Sequence, residues 1–302
     1  MKKIISLIAC ISVIMSISLV ADAATARPKI RVGLYETSDP VVVAVNGKST
    51  VGTHVVPTNT VITLSYDSTT ALYTATTADW SETSIDPLVI DPINKNKVAT
   101  VTSYSNPPDW DTSLNDNAFY GSIEFNDGWV VNELGIENYV KGVSEAGNDN
   151  EPAYLKALYT AARTYVYFLY LYPTKHAGEP YLVDTTANDQ VYRGYGFTSR
   201  APNIVAAVEA TVGQIVTYDE EVVVTPYFSQ SDGRTRAWSE VWNGDYAYLQ
   251  SVVDPCCTNE TLLGHGVGMS AAGARYFAEE QSWHWREILY YYYQNVELQS
   301  MW

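Results

Sequence analysis

The chain has 302 residues, with 34 acidic against 18 basic side chains and a formal charge of −16. Such a surface repels phosphate backbones and anionic headgroups, so nucleic acid and membrane surfaces are excluded as favoured partners, and tight electrostatic adhesion to anionic wall polymers is disfavoured. The 24 Tyr and 8 Trp fit either β-rich structure with half-exposed faces or sugar stacking, and composition does not separate the two.

Residues 1–23 have the pattern of a secretory signal. Lys2 and Lys3 form a basic start, Ile4 to Val20 is apolar, and Ala21-Asp22-Ala23 is a small-x-small cleavage site. Leu7-Ile8-Ala9-Cys10 imitates a lipoprotein box, but almost no apolar stretch precedes it. No other apolar run is long enough to span a bilayer, so the expectation is a secreted, extracytoplasmic, wall-associated protein with no membrane span after cleavage. Its only cysteines are then Cys256 and Cys257, which are free or bridged to each other and are no disulfide framework. They share no ligand spacing with His54, His176, His265 or His284, so neither a metal nor a cofactor is expected.

Residues 24–130 read as strands and loops. Ile30 to Leu34 opens a first strand, and Val41 to Val45 runs into Asn46-Gly47, a hairpin signal. Val61 to Leu64 and Leu72 to Thr76 continue the β character, and residues 78–117 read as long loops with short strands such as Val98 to Val101. Phe119 to Phe125 and Gly128 to Asn132 suggest a hairpin around Asn126-Asp127-Gly128. A short helix is expected over Gly135 to Val143, then a long one from Asn150-Glu151-Pro152 to Pro173, with proline at each boundary. Leu155, Leu158, Ala162, Val166 and Leu169 share one arc of it. Lys156 and Arg163 lie within about 20° of each other on another. Residues 174–200 read as loop and Asn203 to Val212 as a helix. Gln214 to Tyr218 and Val222 to Phe228 read as paired strands around Asp219-Glu220-Glu221. Gly264 to Ser270 is a glycine-rich turn into a helix over Ala271 to Glu280, and Ser282 is placed to cap a last helix. The fold class is α+β: a β-rich N-terminal platform over residues 24–130, then a helix-containing region over residues 131–302, the two packed as one unit.

Chemistry concentrates after residue 130. Glu145 sits among small neighbours, Ser144, Ala146 and Gly147, which let a bulky substrate approach. A proton donor to a glycosidic oxygen has to stay protonated near neutral pH, and burial supplies that; the alternative is a glutamate in a polar turn. A helix entered behind glycines, as at His265, can hold developing negative charge or can simply be a tight entry. No G-x-S-x-G elbow occurs, so a serine triad is weakly supported.

Seven stretches in order then resemble the SpoIID/LytB family of sporulation-protein-D-like wall proteins: residues 132–143 leading to Glu145, ALYTAARTY at 157–165, Asp189-Gln190-Val191-Tyr192, AAVEATVG at 206–213, YFSQSDGRT at 227–235, GHGVGMS at 264–270, and Arg286 to Leu289. The resemblance implies a SpoIID-like catalytic region acting on peptidoglycan glycan strands as a lytic transglycosylase, on strands lacking stem peptides. It implies Glu145 as the catalytic general acid and base. It also implies Lys156, Arg163, Gln190, Tyr192, Ser229, Ser231, His265 and Ser270 as substrate-binding residues, with Gly233 in the same cleft. The alternative from another branch of the family is a non-catalytic wall-binding enhancer of an N-acetylmuramoyl-L-alanine amidase. Departures are Val143-Ser144-Glu145-Ala146-Gly147 where V-P-x-E-M is usual, Ala271 where glutamine is usual, and Ser-Gln-Ser-Asp-Gly for a run of serines and glycines.

Overall fold

The computed structural model describes residues 27–302, so the expected signal at 1–23 lies outside the described residues. Among these, 18 strands and six α-helices form an α+β fold with strands dominating the N-terminal part.

Alternation of buried and half-exposed residues drives the N-terminal strands into two sheets. Val41–Val45 buries Val41, Val43 and Val45 and turns the residues between them outward. It pairs antiparallel with Val61–Asp67 on one side and Val98–Val101 on the other. This six-stranded sheet is completed by Ala118–Tyr120, Leu72–Thr76 and Ser81–Ser84. A seven-stranded sheet runs Val183–Asp184, Lys29–Glu36, Trp129–Gly135, Ser122–Asn126, Val89–Pro92, Ser49–Val51, His54–Val56. Val183–Asp184 lies parallel to Lys29–Glu36, so the first strand shares a sheet with a segment far along the chain.

The Asn46-Gly47 signal does not make a hairpin. Neither residue has positive φ, as a two-residue type I′ loop requires. Instead the Asn46 Oδ1 accepts the Val98 N–H at 2.7 Å, and the chain crosses from one sheet to the other. Asp127 and Gly128, at φ 49° and 81°, do make the expected hairpin. Gly121 (φ 81°) breaks the strand expected over 119–125, because a Cβ there would meet the Glu133 carbonyl at 2.2 Å. Asp219 and Glu220, at φ 50° and 67°, turn Gln214–Tyr218 back onto Glu221–Val222. The second strand ends there, and Tyr227–Phe228 pairs in parallel with Met269–Ser270 instead.

The helices are α1 (Ile136–Lys141), α2 (Pro152–Leu171), α3 (Gly194–Thr198), α4 (Pro202–Glu209), α5 (Ala271–Glu279) and α6 (Trp285–Tyr292). α3 falls in the stretch read as loop. Ser282 has φ 55° and does not cap α6; His284 does, with Glu287 accepting back from its N–H. α2 packs against α1, α4, α5, α6 and the strand Gln214–Tyr218. It is therefore buried on more than one arc: from Tyr154 to Thr164, all residues but Lys156 are buried. The sequence places one apolar arc on this helix, and the structure buries it on further arcs as well, so α2 is a central helix.

Candidate functional site

α1 ends at Gly142, whose missing Cβ admits the Tyr192 ring, 2.6 Å from where that atom would stand. The next residues pair with 191–193. Val143 and Tyr192 form an antiparallel bridge, Ser144 N–H donates to the Val191 carbonyl at 2.7 Å, and Arg193 N–H donates to the Gly142 carbonyl at 2.8 Å. From α2 the Tyr159 hydroxyl donates to the Val143 carbonyl at 2.8 Å. Glu145 is thus delivered by a short stretch pinned on both sides.

The Glu145 side chain is half-buried. Its Oε1 accepts the Val191 N–H at 2.8 Å. Burial pushes its carboxyl above the ordinary value of 4.5, and the Val191 hydrogen bond opposes this only in part. Burial is the largest cause raising the hydroxyl pKa of Tyr139, Tyr154, Tyr159 and Tyr227, and the Glu145 charge adds to it in each. The carboxyl thus lies within electrostatic reach of four phenols.

Gln190 and Tyr192 serve the scaffold of this pocket. Gln190 is 0% exposed. Its amide donates to the Ala162 carbonyl at 3.2 Å and the Tyr227 hydroxyl at 3.0 Å, and its Oε1 accepts from the Tyr139 hydroxyl at 3.0 Å. Tyr192, also buried, donates to Asn132 Oδ1 at 2.9 Å and stacks on Tyr139. Neither is open to a substrate; they position Val191, and through it Glu145.

Arg163 is also a correction. It is 0% exposed. Its Nε and one NH2 nitrogen donate to Glu137 Oε2 at 3.2 and 2.9 Å, and its guanidinium reaches Thr211 Oγ1 and the Val208 carbonyl. Glu137 Oε1 accepts from Gly213 N–H and the Trp302 indole, both at 3.0 Å. Burial lowers the Arg163 pKa and Glu137 counters it. Sharing a helix arc with Lys156 did not place the two alike: seven residues separate them by about 10 Å along the axis, and the deeper position lies under α4. Lys156 is half-buried and makes no ion pair or hydrogen bond among the described residues.

The stretches around Ser229 and His265 do come together. Phe228 pairs with Ser270, Gln230 with Leu263, and Ala272 N–H donates to the Ser229 carbonyl. Ser229 is exposed. Ser231 and Ser270 are 0% exposed, and their hydroxyls accept the Gly233 and Gly273 N–H groups at 3.2 and 3.1 Å. They hold a turn and cap α5 instead of facing a ligand. His265 is half-buried, its Nδ1 accepting the Val267 N–H at 3.1 Å, so the ring proton sits on Nε2. Burial lowers its pKa, against a hydrogen bond to the Tyr227 backbone, which keeps the imidazole neutral. Tyr227 therefore joins the two halves: its hydroxyl reaches Gln190, and its backbone reaches His265 and Met269.

Among the described residues, two groups of ligand-type atoms lie within 4.8 Å of one another: His176, Asp184 and Asp189, and Asp254, Cys256 and Cys257. Sequence spacing did not reveal the first. Its Asp189 oxygens already take Lys175 at 2.7 Å, His176 at 2.7 Å and the Asp184 N–H at 2.8 Å. In the second the two cysteines are bridged to each other. The residues that the sequence reasoning missed are Tyr139, Tyr154, Tyr159, Val191 and Tyr227. Tyr139, Tyr159, Val191 and Tyr227 lie inside motifs singled out above, but an apolar or aromatic residue within a helix or strand reads first as core.

Comparison with known proteins falls on this region. The SpoIID family model, described as stage II sporulation protein, matches residues 125–218. Stage II sporulation protein D of Bacillus subtilis is 33% identical over 137 residues, 41% of this chain and 40% of that protein. The amidase enhancer of the same organism is 35% identical over 116 residues, 38% of this chain and 14% of that protein. An uncharacterized protein of Brachyspira hyodysenteriae is 37% identical over 152 residues, 48% of this chain and 40% of that one. The chain thus spans well under half the length of these relatives. The matched segment holds Glu137, Glu145, Lys156, Arg163, Gln190 and Tyr192, and stops before Ser229 and the GHGVGMS turn.

Proposed function

We propose that this chain, which carries a SpoIID segment at residues 125–218, is an extracytoplasmic, wall-associated lytic transglycosylase of peptidoglycan glycan strands. The observation that carries the proposal is Glu145: a half-buried carboxyl within electrostatic reach of four tyrosines, its pKa raised by burial, with one N–H on Oε1. A carboxyl whose pKa is raised in this way suits a proton donor. The Oε2 proton passes to the glycosidic oxygen as its bond to C1 of the muramic acid breaks. The carboxylate then takes the proton of the C6 hydroxyl as that oxygen bonds to C1, closing an anhydro ring. One carboxyl does both steps and no water is consumed, so the paired carboxylates of hydrolytic glycosidases are not required.

Lys156 is the cation assigned to the lactyl carboxylate of the sugar, and Ser229 and His265 are the polar groups that would line the strand's path. Arg163, Gln190, Tyr192, Ser231 and Ser270 act by positioning. Incubation with denuded glycan strands should yield anhydromuramoyl ends by mass spectrometry, and Glu145→Gln should yield none. Wild-type protein without product would sink the proposal.

The similarity to an amidase enhancer favours a second reading, a wall-binding protein that stimulates an amidase. It predicts stimulation of amidase activity that Glu145→Gln leaves unchanged, with no anhydro ends from either protein.

A further inference from the structure

Three aromatic side chains beside His265 have no part in that chemistry. The loop 234–250 holds Trp238 at its centre. Trp242 packs on it at 4.5 Å between ring centroids and 54° between planes, and Tyr246 at 4.8 Å and 82°. Trp242 in turn lies 4.9 Å from the His265 ring, which lies 5.6 Å from Phe228. Trp242 and Tyr246 are each 37% exposed, a large apolar area to leave in water.

The loop is built to hold them there. The Trp238 indole donates to the Asn243 carbonyl at 2.8 Å, and Gly244 (φ 93°) turns the chain beneath it. Trp238 N–H donates to the Leu249 carbonyl, and Leu249 N–H to that of Tyr246. Both arginines of the loop are paired: Arg234 grips Glu240 with two hydrogen bonds and Arg236 grips Asp232 likewise, which among the described residues leaves Asp245 as the loop's one carboxylate without a cation, taking the Gln250 amide. The Arg234 contact and the Ala237 N–H pull the Glu240 carboxyl down to about 2, so this pair stays ionised and matched. The polar tips of the outer rings, by contrast, are unspent. Neither the Trp242 indole N–H nor the Tyr246 hydroxyl has a hydrogen-bond partner among the described residues.

We propose that Trp242 and Tyr246, braced on Trp238, form a sugar-stacking subsite continuous with His265 that receives a neutral N-acetylated hexose of the glycan strand. The inference rests on the glycan reading above and deepens it. An exposed ring offers its face to the C–H side of a pyranose while its N–H or O–H meets a hydroxyl, an amphipathic match that a purely apolar patch lacks. With both arginines already paired and the Asp245 carboxylate beside Tyr246, the loop disfavours an acidic ligand, and a neutral sugar needs no counter-charge from it.

The test is calorimetric titration of the full chain with a short β-1,4-linked N-acetylglucosamine oligomer. Wild type should bind it. Trp242→Ala should weaken binding by about tenfold, Tyr246→Ala should weaken it in the same direction, and Trp242→Phe should retain most of it. Circular dichroism checks the fold; if Trp242→Ala unfolds, Tyr246→Ala and Trp242→Phe carry the decision. Unchanged affinity in the alanine variants while wild type still releases anhydro ends overturns the subsite and leaves the cleavage reading standing. A wild type that neither binds the oligomer nor cleaves strands overturns both. Alanine variants with normal sugar affinity but lost amidase stimulation would make the face a protein-docking surface, and this too overturns the subsite.

Discussion

Glu145 Oε1 receives the Val191 N–H at 2.8 Å, which leaves Oε2 as the seat of the proton. The carboxyl is therefore oriented as well as buried, and the residue that orients it lies between Gln190 and Tyr192. The consequence for pH follows from the direction of the shift. The folded-state pKa lies above the ordinary 4.5, so Glu145 contributes stability that is full below the ordinary value and is lost as pH rises through the folded one. Glu145→Gln keeps the acceptor for Val191 and carries no charge. Its stability should match wild type in acid and exceed it increasingly towards neutrality, read from urea midpoints across pH. Cleavage by wild type should fall with rising pH over the same window.

Arg163→Ala should cost about 3–5 kcal/mol in a denaturant titration, because Glu137 is left charged and buried without its partner. The protein that remains folded should bind glycan as wild type does. A stable variant with weakened glycan binding would show Arg163 at the substrate instead.

Gln190→Leu should lower stability and cleavage together. It strands the Ala162 carbonyl and the hydroxyls of Tyr139 and Tyr227, each worth about 1–3 kcal/mol when buried and unpaired. Tyr192→Phe removes one hydrogen bond to Asn132 and should cost about 1 kcal/mol with cleavage retained. Equal loss of cleavage in the two variants at matched stability would contradict this division.

Ser270→Ala removes the cap of α5 and should lower stability by about 1 kcal/mol. Ser229→Ala exchanges an exposed hydroxyl and should leave thermal unfolding unchanged while weakening glycan binding. The reverse pattern would place Ser270 in the cleft and Ser229 outside it.

Much of the fold was legible because its signals are local. A run of valines marked Val41–Val45, prolines bounded α2, and Asp127-Gly128 marked a hairpin. Which strands then paired was not legible: Asn46-Gly47 carries the composition of a turn, and only the long-range bond to Val98 shows the crossover. Glu145 stands out in the sequence because its neighbours are small. Helical angle could not tell Lys156 from Arg163, because depth under α4 is set by packing that periodicity does not encode. Serines near glycines read equally as sugar contacts and as caps, and Ser231 and Ser270 proved to be the latter. The tyrosines around Glu145 come from α1, α2 and the strand at 227, and only folding gathers them.

Tyr227 touches the Gln190 amide with its hydroxyl, and its backbone joins His265 and Met269. The acid and the glycine-rich turn are therefore not separately adjustable parts. A substitution that reshapes residues 264–270 to admit a different sugar also shifts the phenol that helps set the surroundings of Glu145. Altered specificity from that turn should come with an altered acidity of the proton donor, a trade-off that variants confined to the loop 238–246 would escape.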